Sequence, residues 1–280
     1  MTVEGVRDLL PKTESATTTL TLLRNGNQLQ IQTASETHLS RSLGATNQIA
    51  YLNLREYTTV SADRVRDDYT SLVSAGSGGS GGVILDLRQN GGGSLSGAWN
   101  LTDFLGPSSV DNQIMFSLQQ QSQGFDYRFG VYGSNLGIID PSKFVILIDS
   151  SSASASELTS AALKDLGIAT LMGGQSYGKG VGQNVVGLLD GSGVYITSFE
   201  LLSPLGNSWH DLGVSPDYSL STALPATPAD DILLQAAIDF LENGSVSQAT
   251  TSRRITKSPL LLSVPPYSHP WDGGSRQRLN

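Results

Sequence analysis

The chain has 280 residues, 38% of them hydrophobic, with 31 glycines, 11 prolines and a formal net charge of −8 at pH 7. That is enough apolar material for one large domain, or a core plus a small one. The acidic balance argues against a nucleic-acid partner held through its phosphates, and the lack of cysteine excludes disulfides, a thiol nucleophile and any Cys-ligated metal.

Residues 2–10 place Val3, Val6, Leu9 and Leu10 on one helical face, with Thr2 as N-cap. Met1 leads straight into this pattern, without a signal peptide. Two strand-like runs, 17–24 and 28–33, flank Asn25-Gly26, the strongest short hairpin signal. One helix and one hairpin bury too little to stand alone, so the chain starts inside a small domain. Residues 34–46 are polar and read as a linker. Residues 48–55 alternate as a strand with Ala50, Leu52 and Leu54 inward, and 62–73 have helical spacing. After the Gly/Ser stretch 74–82, VILDL at 83–87 is apolar on both faces, as a strand covered on both sides would be. RQNGGGSLSG follows, then a helix near Ala98 to Leu105; residues 108–140 read as strands and turns.

Phe144 to Ile148 is an apolar run of strand length, too short to span a membrane. Small polar residues follow, and then Leu158, Ala161, Ala162 and Leu166 at helical spacing. A second run, Ile168 to Met172, leads into a glycine-rich loop that carries Lys179. NVVGLL and GVYITSFELL flank the turn signal Asp190-Gly191-Ser192. The last helix is expected over 228–242, with Thr227 as N-cap, Pro228 at N1 and Gly244 past its end. Residues 245–280, rich in Ser, Arg and Pro, are expected to be loosely ordered. Strands alternating with helices from 48 to 180 predict an α/β core.

Three local features bear on chemistry, and each has a plain structural reading as well. Ser154 with Glu157 forms S-x-x-E, which is also a helix capping box. Gly91, Gly92 and Gly93 after a buried strand make a sharp turn, or present backbone N–H groups to a carbonyl oxygen. Lys179 in Y-G-K-G is either a solvated loop lysine or the base that a serine nucleophile requires. His38, His210 and His269 show no metal-ligand spacing, and Trp99 and Trp209 read as packing or cleft walls.

VILDLRQNGGG, SASASELTSAALKDLG and GQSYGKGVGQ, in that order, resemble the carboxyl-terminal processing (tail-specific) serine proteases. The likeness spans about residues 48–220, and 1–33 resemble the last helix and two strands of a PDZ domain. It implies a crotonase/ClpP-like α/β protease core over 37–244, a partial PDZ-like segment over 1–36 and a tail over 245–280. It also implies Ser154 as nucleophile, Lys179 as its base and Gln183 as the residue that steadies the lysine. Oxyanion donors would be Gly92, Gly93 and the N–H of Ala155. Burial would keep Lys179 neutral. The implied partners are protein or peptide substrates, without a metal, a nucleotide or any other cofactor, and the implied location is periplasmic or extracytoplasmic. A homo-oligomer or an activating partner stays open.

The front of the PDZ domain has no counterpart, which points to a fragment or to a protein that lost that half. Asp165 matches an acidic position of some family members, but a structural role is the preferred reading. His210 follows the serine, whereas the tricorn-type relatives carry their histidine far upstream. Two alternatives remain: a catalytically inactive peptide- or ligand-binding module on the same fold, and a crotonase-like acyl-CoA enzyme.

Overall fold

The computed structural model describes residues 17–24, 27–34, 38–44, 48–75, 79–106, 113–120, 125–130, 143–220, 230–246 and 256–257. The chain divides into two compact units, 1–39 and 40–280. In the first, β1 (Thr17–Arg24) and β2 (Asn27–Ala34) pair antiparallel from Thr17↔Ala34 to Arg24↔Asn27. That register leaves a two-residue connection, as Asn25-Gly26 predicts. The turn itself and the helix expected over 2–10 lie outside the described residues.

The second unit is built on a seven-stranded sheet. Its strands are β3 (His38–Leu43), β4 (Ile49–Leu54), β5 (Gly82–Asp86), β8 (Phe144–Ile148), β9 (Thr170–Gly173), β12 (Tyr218–Ser219) and β13 (Thr256–Lys257), in the order β13-β12-β9-β8-β5-β4-β3. β4, β5, β8, β9 and β12 run parallel, while β13 is antiparallel to β12. Parallel neighbours require crossover connections, and helices take part in three of the four. They are α1 (Ser61–Ser74) between β4 and β5, α2 (Leu95–Leu105) between β5 and β8, and α3 (Ala155–Asp165) between β8 and β9; β10 and β11 lie between β9 and β12, and α4 (Ile232–Asn243) follows β12.

The side-chain alternation of the strands divides the core into two layers. Val83, Leu85, Ile146 and Ile148 pack with Val65 and Tyr69 of α1, Ala98 and Leu101 of α2, and Leu158 and Ala162 of α3. Ile84, Val145 and Leu147 point the other way, onto Leu233, Leu234, Ala236 and Ala237 of α4. Both faces are covered, which is why β5 and β8 read as unbroken apolar runs. β4 differs from its expected one-sided burial. Ala50, Leu52 and Leu54 face the three-helix layer as predicted, but Ile49 and Tyr51 are buried beneath α4.

A second sheet, antiparallel throughout, has the order β10-β11-β6-β7, with β6 (Ile114–Gln120), β7 (Phe125–Gly130), β10 (Val181–Gly187) and β11 (Gly193–Leu202). The α/β reading of the sequence is met by this architecture.

Three local expectations change. The stretch read as a linker contains β3 at the edge of the large sheet. Within the tail read as loose, Thr256 and Lys257 pair with Ser219 and Tyr218. The last helix starts later than expected, at Ile232. Its N-cap is Asp231, whose carboxylate accepts the Leu234 N–H at 3.0 Å; Thr227 and Pro228 lie outside the described residues. Gly244 ends it as predicted, with φ +70° in the left-handed region.

Asp231 does more than cap. Arg88, buried just past β5, donates to its two carboxylate oxygens at 2.9 and 2.8 Å and to Asp86 at 2.6 Å, and the Tyr51 hydroxyl donates to Asp86 at 2.8 Å. Burial alone would lower the Arg88 guanidinium, but the hydrogen bonds to both aspartates raise it, so it stays charged. Burial likewise pushes the Asp231 carboxyl up, and the Arg88 bonds outweigh it and hold the group below its ordinary range. Arg88→Met strands two buried carboxylates and should cost about 3–5 kcal/mol in urea unfolding. A depressed carboxyl stabilises above its unfolded pKa and loses that contribution as pH falls through its folded value. The wild-type protein should therefore weaken below about pH 4, and Arg88→Met should show a flatter acid limb; equal slopes for the two proteins would sink this account.

Candidate active site

Two loops at the carboxyl ends of adjacent parallel strands form the site, the usual place for one in an open α/β sheet. After β5, Leu87 to Gly93 turns sharply, with Gln89 at φ +61° and Gly92 and Gly93 at +101° and +137°. A Cβ on Gly93 would be driven into the Tyr57 carbonyl, and Tyr57 and Gly93 form a parallel bridge. A Cβ on Gly92 would lie 2.8 Å from the Ser154 Cβ and 3.0 Å from the Ala155 nitrogen. Glycine is therefore required here for close approach to the second loop.

That second loop, Asp149 to Ser154, is tied to the first by polar side chains. Asp149 accepts the Ser151 N–H at 2.9 Å and reaches across to the Gln89 N–H at 3.1 Å. Asn90 is fully buried. Its carbonyl accepts the Ala153 N–H at 3.0 Å and the Ser156 hydroxyl at 2.9 Å, and its amide donates to the Leu54 carbonyl at 2.8 Å. The Asn90 side-chain oxygen takes the Gly92 N–H at 2.9 Å. Among the described residues the N–H groups of Gly93 and Ala155 donate to nothing. Of the three amides expected to face a carbonyl oxygen, two are thus open and one is engaged.

Ser154 is the N-cap of α3 and has φ +57° and ψ −111°, a conformation that costs a non-glycine residue about 1–3 kcal/mol. The residue is 8% exposed, at the rim of the buried region. Glu157, the acidic half of the S-x-x-E pattern, is fully buried one turn into the helix. One oxygen, Oε2, accepts the Ser154 N–H and the Lys179 N–H, each at 2.8 Å. The other, Oε1, accepts the Ser176 hydroxyl and the Gly178 N–H, each at 2.6 Å. Four donors fill the acceptor sites of one carboxylate. The shared Oε2 holds the backbone nitrogens of Ser154 and Lys179 within two hydrogen-bond lengths of each other. Sequence reasoning read Glu157 as a cap alone; its i, i+3 spacing was the visible signal, and its hold on the lysine loop was not.

The lysine loop is clamped from its other side too. Val214 N–H donates to the Ser176 hydroxyl at 2.6 Å, Gln175 to the Leu212 carbonyl at 2.7 Å, and Asp211 N–H to the Gly178 carbonyl at 2.9 Å. His210 packs against Gly180, and its Nδ1 lies 3.4 Å from the Gly178 carbonyl. This histidine therefore borders the lysine loop, although it makes no bond to Ser154. Lys179 is half-buried, and its side chain forms no hydrogen bond or ion pair among the described residues. Gln183 is exposed, opposite a bulge in β11, and is not bonded to Lys179. Asp165 accepts the Leu205 N–H at 3.4 Å, a structural tie as expected. Trp209 is buried in the core. Among the described residues no cluster of acidic or histidine side chains is arranged to hold a metal.

The strain at Ser154 is testable by itself. Ser154→Gly should be more stable than Ser154→Ala by about 1 kcal/mol, because glycine reaches this backbone conformation without a Cβ penalty. Thermal melts of the two variants decide it, and an alanine variant as stable as the glycine one would remove the strain.

The sequence profile of peptidase family S41 matches residues 48–220. The chloroplastic C-terminal processing peptidase of Tetradesmus obliquus is 31% identical over 188 residues, which are 67% of this chain and 38% of that one. The carboxyl-terminal-processing protease of Synechocystis is 30% identical over 200 residues, 70% of this chain and 44% of its own. Among solved structures, the photosystem II D1 C-terminal processing protease superposes with a TM-score of 0.56 at 27% identity, over 85% of this chain and 65% of that one. This chain spans less than half the length of the two curated relatives.

Proposed function

Since the chain belongs to peptidase family S41, we propose that it is a serine endopeptidase of the carboxyl-terminal processing type, acting on protein or peptide substrates through Ser154 and Lys179. The observation that carries this reading is Glu157. One buried carboxylate fixes the backbone of a strained serine and of a lysine side by side, next to two open amides. A capping role alone asks for no lysine at the other end.

In this mechanism neutral Lys179 takes the proton of the Ser154 hydroxyl as its Oγ attacks a substrate carbonyl. The oxyanion is held by the Ala155 N–H at the positive end of α3 and by the Gly93 N–H. Gly92, whose N–H serves Asn90, contributes room for the substrate rather than a donor. The Lys179 ammonium then returns its proton to the leaving amine. Water, deprotonated in its turn by Lys179, releases the acyl group from Ser154. Gln183, exposed on β10 and unbonded to Lys179 in this structure, is proposed to steady the lysine only once a substrate is bound.

The remaining parts of the reading are proposals of the same standing. Residues 1–36 are a partial PDZ-like segment that precedes, in sequence, a core over 37–244, and the protein works outside the cytoplasm. Among the described residues no helix is long and apolar enough to cross a membrane.

Casein digestion and labelling by a fluorophosphonate probe test the function. Ser154→Ala and Lys179→Ala should each lower peptide hydrolysis by about 10³-fold or more, and Ser154→Ala should abolish labelling. Full proteolysis by Ser154→Ala would overturn the nucleophile. With chemistry limiting, kcat should rise with pH as the base is freed of its proton; a flat profile refutes a lysine base. Gln183→Ala should lower kcat and leave probe labelling detectable.

A further inference from the structure

β10 starts two residues beyond Lys179, and among the described residues it pairs on one side only, with β11. The ladder settles which groups face its free side. Leu188 N–H donates to Ser192 at 2.7 Å and Leu201 N–H to the Gly180 carbonyl at 2.8 Å, so the even-numbered residues of β10 bond inward to β11. The bulge between Gly182 and Gln183 takes its additional residue, Ser198, from β11 and leaves this parity intact. The N–H and C=O groups of Val181, Gln183, Val185 and Gly187 therefore point away from the sheet.

From Gln183 to Thr197 the two-stranded arm is exposed on both faces. Val185 and Tyr195 form a cross-strand pair on one face and are 57% and 61% exposed; Val186, Val194 and Ile196 are exposed on the other. The only carboxylate on the arm is Asp190, in the turn at its tip, and there is no lysine or arginine. An exposed, uncharged, apolar edge strand is a hazard for a soluble protein unless something is meant to pair with it.

We propose that the outer edge of β10 is the substrate-binding edge. An extended polypeptide with apolar side chains at alternate positions adds to it as a strand, and this addition leads its scissile carbonyl to Ser154. The occupant follows from the groups on offer. Unpaired backbone N–H and C=O groups at strand spacing are satisfied by another extended backbone. The neutral apolar flanks suit apolar side chains, and the edge is continuous with the lysine loop. This inference rests on the serine peptidase reading of the same site.

The test separates binding from cleavage. Ser154→Ala protein is titrated with a fluorescein-labelled apolar peptide of about ten residues, the length of a strand, and with two analogues N-methylated at alternate residues of opposite parity. Fluorescence anisotropy should show one analogue weakened about tenfold or more and the other close to the parent, because only alternate N–H groups face β10. Val185→Pro in the same background removes an outward N–H and keeps the inward ladder; it should weaken the parent peptide to a similar degree. Equal affinity of both analogues overturns strand addition, and the peptide variants give this answer even if Val185→Pro does not fold. A dimer in sedimentation velocity that Val185→Pro dissolves and peptide does not displace would overturn the substrate as occupant in favour of a second copy. Wild-type protein that cleaves no peptide, beside parity-dependent binding to Ser154→Ala, would sink the peptidase reading and leave the binding edge standing.

Discussion

The site depends on a single buried carboxylate. Glu157 lies in the first turn of α3, has no solvent contact, and accepts from the backbone of Ser154, Gly178 and Lys179 and from the Ser176 hydroxyl. An unpartnered carboxylate buried this deeply would cost several kcal/mol; with four donors the same group becomes a fixed point. It sets the serine's backbone against the lysine's, and it does so through main chain, which leaves both side chains free for chemistry. The strained φ at Ser154 persists because the surroundings over-determine it: Glu157 holds its nitrogen, and Asn90 holds Ala153 and Ser156, while Gly92, lacking a side chain, leaves room for its Cβ.

Around that point the fold is arranged in two tiers. The parallel sheet, covered on both faces, fixes the ends of β5 and β8 and thereby the spacing of the two site loops. The Arg88 network anchors α4 to the loop after β5, so the layer beneath the sheet is keyed to the same strand end from which the glycine turn departs. The second, antiparallel sheet carries the strand that leaves the lysine loop. A rigid tier thus positions Ser154 and the lysine loop, and a more exposed one carries the strand beyond them.

What the sequence made legible was local. Phe144 to Ile148 and the helix after Ser154 announce themselves by period and by flanking small residues, and the two hairpins by Asn-Gly and Asp-Gly. The glycine turn and the lysine loop were visible as motifs because close backbone approach leaves only one residue type to choose from. What escaped was non-local. HLSRSL at β3 looks like linker because an edge strand needs little apolar surface. Thr227-Pro228 is a well-formed local start for a helix, yet Asp231 is the cap that also finds Arg88, far earlier in the chain. Glu157 was legible as a cap and illegible as a clasp, since nothing near it in sequence foretells that the loop of Lys179 returns to it.

Gly93 carries a consequence of another kind. Its nearest neighbour is not a substrate or a nucleophile but the carbonyl of Tyr57, into which any side chain at 93 would collide. A saturating survey of substitutions would therefore mark this position as intolerant as Ser154, for opposite reasons. In the proposed mechanism a particular side-chain atom is needed at Ser154; at Gly93 the need is for no side-chain atom. Tolerance maps of this family should thus be read against backbone crowding before intolerant positions are counted as chemistry.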